Sequence, residues 1–502
     1  MKNLFARLTV GKVELPNRLV MAPMTRNRAA GGLVTELTAE YYTQRASAGL
    51  IITEAVQASP RGQGYVDTPG LHSPEQVEAW SAVTEAVHAA GGRIFAQITH
   101  TGRIGHPVLY PDGGLPLAPS PVASGMQLHT ADGLLDHPMP KEMTLDDITQ
   151  TVADFVAAAR NAIAAGFDGV ELHGGNGFLI HQFLADNTNR RTDGYGGSVD
   201  NRIRFAVEVV QAVSDALGSE RVAIRLAPGN TYNNIAEADP ATVYTALVRG
   251  LAPYNLAYLH IVEYGTRQIT ELIRSEWPGT LILNPHPAGH EGPATPEVGA
   301  AALRDGVADA ISLAEMWLAN PDLPERVRAG GPYNTSDQAS WYGGDHRGYT
   351  DYPTLLGLPV RAGEAPRVVG PAPHSQRSQI APVMLQEELW QRMRALPRVY
   401  MAPTLVSVPH ARSLFLPDGV GSGPETAFQK GREWTHIHPH HDGSLHLTLP
   451  EPVKDEVERA GWGVRHPEHH SILVYGPRTQ GELEVVWRLV KLSYEYALGE
   501  SR

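Results

Sequence analysis

The chain has 502 residues, 42% of them hydrophobic and 19% charged, which is too long for one small domain and too apolar for a mainly disordered chain. Lys plus Arg total 41 against 54 Asp plus Glu, a formal charge of −13, so no nucleic-acid partner is expected, and the lack of cysteine excludes disulfides, thiolate-bound metals and cysteine nucleophiles. With no run of eighteen apolar residues and no signal-peptide core in the opening MKNLFARLTVGKVELPNRLV, no membrane partner is expected and a cytoplasmic location is.

The first predicted element is a short hairpin over 6–15, placed to plug the bottom of a barrel. Short β-branched runs then predict strands at 18–22, 50–56, 93–98, 168–172, 221–227, 256–262, 279–284 and 308–313. Between and after them, 3.6-residue periodicity predicts helices at 36–47, 75–89, 145–164, 200–216, 239–250, 266–276, 296–304 and 322–329. Eight such units in about 310 residues is the arithmetic of an α/β fold of the (β/α)8 TIM-barrel kind. An open doubly wound sheet is the alternative, but its dinucleotide signature is missing after the first strand. The segment 99–143, rich in Gly, Pro and His, reads as an excursion over one face.

The barrel domain is assigned to 1–356 and the Pro/Gly/Ala-rich stretch 357–373 to a linker. Residues 374–502 read as a small α+β domain: a helix over 382–395, two strands within 434–449 around an Asp-Gly turn, a helix over 451–461, a strand at 471–475 and a terminal helix over 481–498. Ten of the 22 histidines fall after residue 373. His436, His438, His440 and His446 lie in or beside the strands, and at period two His436 and His438 share a face that can bind a transition metal. No nearby carboxylate has ligand spacing, so a structural or surface role is preferred and no metal is assigned.

Active sites of (β/α)8 barrels sit at the C-terminal ends of the strands. Thr25 follows the first strand, Gln97 ends the third, His173 and Asn176 follow the fourth, and Arg225 lies near the end of the fifth. Each could merely satisfy loop backbone, but together they can surround a planar polar ligand. His173 and Asn176, three apart, can offer two neutral donors to a carbonyl or enolate oxygen.

Five stretches carry a resemblance: LPNRLVMAPMTRNRA (15–29), YYTQRASAGLIITEA (41–55), GFDGVELHGGNGFLIHQFLADNTNRRTDGYGGSVDNRIRF (166–205), ANPDLPERVRAG (319–330) and GYTDYP (348–353). By them the barrel resembles the old yellow enzyme family of FMN-dependent ene-reductases. The resemblance implies FMN on the C-terminal face, reduced by a nicotinamide and passing hydride to the β-carbon of an activated alkene. It implies Thr25 and Gln97 at the flavin ring, Arg225 at the ring and ribityl region, His173 and Asn176 on the substrate oxygen, and Tyr342 at the pocket rim.

Three features depart from the family pattern. Phe178 stands where a tyrosine usually protonates the substrate, a replacement found in family members that act as isomerases. Ala314 and Glu315 replace the glycine and arginine of the flavin-phosphate site, and Pro285 and Pro287 remove backbone donors from the neighbouring loop. Residues 288–292 (AGHEG), with His286 or His290, are the compensation the loop offers. Thr99 replaces a large aromatic and is expected to enlarge or reshape the pocket.

From these departures the expected function is a redox-neutral isomerisation, rearrangement or cyclisation of a conjugated oxygen-bearing small molecule, in specialised natural-product metabolism. No cofactor is favoured. The alternatives are an FMN-dependent NAD(P)H ene-reductase and a non-catalytic binding or scaffold protein. A small-molecule substrate is the expected partner, with a homo-oligomer left open. The C-terminal run TAFQKGREWTHIHPHHDGSLHLTLP, with GWGVRHP and ILVYGPRTQGELEVV, resembles the luciferase-like domain family, from which no chemistry is inferred.

Overall fold

Apolar runs flanked by turn residues become eight short parallel strands that close on themselves: β1 (Leu19–Met21), β2 (Leu50–Gln57), β3 (Ile94–Thr99), β4 (Gly169–Gly174), β5 (Val222–Leu226), β6 (Tyr258–Val262), β7 (Leu281–Asn284) and β8 (Ala310–Leu313). The computed structural model describes residues 1–289 and 292–500. Closure is made by β8 against β1, with Ile311 opposite Leu19 and Leu313 opposite Met21. Every position of β3 to β8 is buried, as a parallel sheet requires when side chains fill its inside and helices cover its outside.

The surrounding helices are α1 (Glu36–Thr43), α2 (Pro74–Ala89), α3 (Leu145–Ala164), α4 (Leu179–Leu184), α5 (Val199–Leu217), α6 (Pro240–Leu251), α7 (Arg267–Glu276), α8 (Pro296–Arg304), α9 (Glu315–Ala319) and α10 (Leu323–Ala329). Their starts are written in the sequence. Ser73 and Gln76 form a reciprocal capping box before α2, Thr144 and Asp147 one before α3, each cap worth about 1 kcal/mol. The short α4 and α9 were not foreseen, being too brief to show a period. Leu8–Val10 pairs with Val13–Leu15 as the expected hairpin, and its buried Val10 and Leu15 pack with Phe95, Tyr258 and Ile282 near the strands' N-terminal ends.

The second unit comprises 330–334 and the chain from 353 onward. Its six-stranded antiparallel sheet runs in the order β9 (Tyr400–Pro403), β10 (Arg412–Phe415), β11 (Glu433–Ile437), β12 (Leu445–Leu447), β14 (Ile472–Val474), β13 (Gly463–Arg465). Its helices are α11 (Val383–Arg394), α12 (Glu451–Arg459) and α13 (Gln480–Leu498). Trp390, Trp434, Leu445, Leu447, Val486 and Leu489 belong to one apolar core. The Asp442-Gly443 turn lies between β11 and β12, and a Cβ on Gly443 (φ +71°) would stand 2.5 Å from the Gln386 amide. The architecture is thus a (β/α)8 barrel followed by a small α+β unit.

The stretch 357–373 does not behave as a free linker. The Leu356 and Leu358 amides donate to Glu456 at 2.7 and 2.8 Å, Trp462 Nε1 donates to the Pro359 carbonyl at 2.6 Å, and Leu358 enters the second core. Its Pro and Gly content suits an extended strap whose backbone is satisfied by side chains near its start and, at Val368–Val369, by a short antiparallel ladder with Ser375–Gln376. Among the described residues no helix is long and apolar enough to cross a membrane.

Candidate active site

A cavity of about 990 Å³ opens at the C-terminal ends of the barrel strands, and its wall brings together Thr25, Gln97, His173, Asn176, Phe178 and Arg225. Ala314, Glu315 and Tyr342 also line it, as do His129 and Thr130 from the excursion after β3. Thr99 is the exception. It is buried and does not line the wall, and its carbonyl accepts the Ala58 amide at 2.9 Å.

The hydrogen bonds around His173 and Asn176 decide what they present. The Gly175 amide donates to His173 Nδ1 at 3.3 Å, so the neutral imidazole carries its proton on Nε2. Burial, reinforced by the Arg225 charge, holds His173 well below its ordinary pKa and so neutral. The Tyr232 amide donates to Asn230 Oδ1 at 2.7 Å, which leaves Asn230 Nδ2 to donate to Asn176 Oδ1 at 3.3 Å. Asn176 Nδ2 is then the remaining donor. Asn176 sits at φ +54°, and the next residue must be glycine: a Cβ on Gly177 would lie 2.7 Å from Asn233 Cβ and the Tyr232 carbonyl. Two neutral N–H donors on one cavity wall suit an oxygen that gains negative charge.

A buried polar network behind the wall was not seen in the sequence. Gln97 Nε2 donates to Glu171 Oε1 at 2.8 Å, and Glu171 Oε2 meets His260 Nδ1 at 2.8 Å. His260 Nε2 meets Ser312 Oγ at 2.8 Å. Although burial opposes it, the His260 contact and the Arg225 charge keep the Glu171 carboxyl below its usual pKa. The network fixes the Gln97 amide so that its oxygen is the atom left over. Alternation along β4 was the available signal, since Glu171 and His173 project to the same side.

Residues at the ring end fit a flavin. Arg225 is buried, and its Nε has no hydrogen-bond partner, an orphaned donor of the kind a polar ring edge satisfies. The phosphate end is different. Glu315 opens the five-residue α9 and accepts from Ser336 Oγ at 2.7 Å, a neutral contact that leaves its charge in place. Past β7, Pro285 and Pro287 have no N–H, and the His286 amide is engaged by Glu263 Oε2 at 3.1 Å. His290, offered as compensation, lies outside the described residues.

Phe178 packs edge-on against His173 with ring centroids 4.9 Å apart and carries no proton to give. Tyr65 brings a phenol to the wall, 6.2 Å from Phe178 between ring centroids, and burial raises its pKa. Glu54, buried on β2 behind the cavity, accepts from the Arg26 amide at 3.2 Å, and burial pushes its carboxyl up to about 7.

The NADH:flavin oxidoreductase / NADH oxidase family matches residues 3–334, and a luciferase domain matches 431–493. The chain is 40% identical over 358 residues to 12-oxophytodienoate reductase 1 of Oryza sativa subsp. japonica, covering 69% of this chain and 91% of the relative. It is 38% identical over 359 residues to 12-oxophytodienoate reductase 2 of Arabidopsis thaliana, covering 69% and 94%. Among solved structures, morphinone reductase superposes with a TM-score of 0.67 at 42% identity, covering 71% of this chain and 97% of its own. An old yellow enzyme homologue from Zymomonas mobilis gives 0.67 at 40%, covering 70% and 100%. These matches overturn the expectation that no cofactor is favoured: they indicate FMN.

Proposed function

We propose, from the premise that the chain belongs to the NADH:flavin oxidoreductase / NADH oxidase family, that it is an FMN-dependent NAD(P)H ene-reductase of a small conjugated carbonyl compound. The carrying observation is the pair of neutral donors, His173 Nε2–H and Asn176 Nδ2–H, on the wall that also holds Gln97 and the orphaned Arg225 Nε. The redox-neutral reading is less well supported, because the relatives are named as reductases, one of a 12-oxo compound and another of morphinone.

Thr25, Gln97 and Arg225 would hold the flavin ring, with Gln97 and Arg225 kept in place by Glu171. When bound, FMN supplies the hydride that nicotinamide has delivered to it. His173 and Asn176 grip the substrate oxygen and stabilise the charge that develops there, each such donor being worth about 3–4 kcal/mol in a dry site. The α-carbon still needs a proton, which Phe178 cannot give. Tyr65, or water reaching the cavity, supplies it.

The test is rapid mixing under anaerobic conditions. NAD(P)H should bleach the bound flavin, and a cyclic enone should restore its colour, more slowly in His173→Ala and Asn176→Ala. A flavin that is reduced but reoxidised by no enone, with both variants indistinguishable from the unaltered protein, would remove the proposal. Phe178 alone favours a second reading, isomerisation of the same substrate class, which predicts a rearranged product without net consumption of NAD(P)H.

A further inference from the structure

The second unit holds a histidine cluster that the barrel chemistry does not use. His436 on β11 and His446 on β12 face each other in register, while their neighbours Thr435, Ile437, Leu445 and Leu447 pair on the opposite face of the sheet. His438 follows β11. All three imidazoles are at most 5% exposed, and one ring nitrogen from each lies within 4.8 Å of the other two.

We propose that His436, His438 and His446 bind one divalent transition-metal ion of the zinc class. Two of the three are already oriented as ligands. His436 Nδ1 is held by Glu433 at 3.0 Å and His438 Nδ1 by Asp442 at 2.8 Å. A ring whose Nδ1–H is given to a carboxylate presents the Nε2 lone pair, and such carboxylate–histidine pairs commonly fix metal-binding imidazoles. His446 Nε2 contacts His374 Nδ1 at 3.1 Å, and its Nδ1 faces His436 Nε2 at 2.9 Å. Zinc–nitrogen bonds near 2.0–2.1 Å at tetrahedral angles separate ligand nitrogens by about 3.3 Å, a small side-chain adjustment from this spacing.

Charge points the same way. Glu433 accepts from Thr404, Leu405, Ser413 and His436, and Asp442 from Ser444 and His438. Among the described residues no Lys or Arg forms an ion pair with either carboxylate. Two buried carboxylates with no Lys or Arg partner sit beside the imidazoles, and a dication would balance them. Imidazole donors select Zn²⁺, Co²⁺, Ni²⁺ or Cu²⁺ over Mg²⁺ and Ca²⁺. A second triad, His374, His446 and His466, meets the same distance limit. It shares His446 with the first triad, and neither His374 nor His466 pairs with a carboxylate among the described residues, so one ion is expected.

The experiment uses the full chain without a polyhistidine tag, stripped with chelator and titrated with Zn²⁺ by calorimetry, with metal counted by mass spectrometry. One equivalent of saturable Zn²⁺ is expected. It should be lost in His446→Ala and weakened about 10- to 100-fold in Asp442→Asn. His440→Ala, altering an exposed histidine, should bind as before, and FMN content should be unchanged throughout. If His446→Ala fails to fold, His436→Gln and Glu433→Gln provide the same reading. No saturable binding, or one equivalent that survives these substitutions, overturns the proposal and leaves the cluster a hydrogen-bonded chain of imidazoles.

Discussion

Glu315→Arg is expected to tighten FMN binding, and the gain follows from Coulomb's law with the anion taken at a close-contact distance. Against an anion about 6 Å away, at an effective dielectric of about 40–80, one carboxylate costs about 0.7–1.4 kcal/mol, so Glu315→Gln should improve affinity about 3- to 10-fold. An arginine adds up to two charge-assisted hydrogen bonds of about 1.5–3 kcal/mol each, reduced by partial exposure and by loss of the Ser336 contact. A net gain of about 3 kcal/mol, or about 100-fold, is expected. The assay is quenching of FMN fluorescence by stripped protein across a salt series. Added salt should strengthen binding to the unaltered chain by screening repulsion and weaken it for the arginine variant. Riboflavin, which lacks the phosphate, should bind all three proteins alike. If the variants bind FMN no better while folded, or bind riboflavin equally more tightly, the assignment of Glu315 to the phosphate end is refuted.

Phe178→Tyr should accelerate alkene reduction about 10- to 100-fold in single turnovers and leave flavin reduction by NAD(P)H unchanged, because it restores a positioned acid only in the second half-reaction. His173→Ala and Asn176→Ala should each slow reoxidation by enone about 10²- to 10³-fold, and Asn230→Ala less, since it acts by orienting Asn176. Glu54 gives a stability signature. Its folded-state pKa, about 7, is raised above that of the unfolded chain, so the native state holds the extra proton and barrel stability should fall as pH rises from about 4.5 to 7. The loss should be about 3 kcal/mol, read by denaturant titration at several pH values, and Glu54→Gln should flatten that window.

The barrel was legible because burial on both faces forces continuous apolar strands, and the strand ends then mark the site. Thr25, Gln97, His173, Asn176 and Arg225 were found by position alone, and they do share one wall. What orients them was not legible. Glu171, His260 and Ser312 come from three strands whose contact depends on barrel closure, and Asn230 from a loop after a fourth. In the second unit, ligand spacing along the chain hid Glu433 and Asp442, because a carboxylate that orients an imidazole need not follow the spacing of one that binds a metal.

The two ends of the cofactor seat rest on different parts of the fold. At the ring end, Gln97 and Arg225 are tied to Glu171 by a hydrogen bond and by charge within the strands, where a misplaced group leaves a buried partner unsatisfied. The proposed phosphate end would be built from the segments that follow β7 and β8, where the Glu315 side chain is only partly buried. Substitutions there change affinity while leaving the strand network intact. The oxygen-gripping donors belong to the first part, since His173 is on β4 itself and Asn176 is braced by the Asn230 loop. On the proposed reading, cofactor retention and substrate activation can therefore vary independently, and a chain with Glu315 at the phosphate end can keep the His173 and Asn176 donor pair intact.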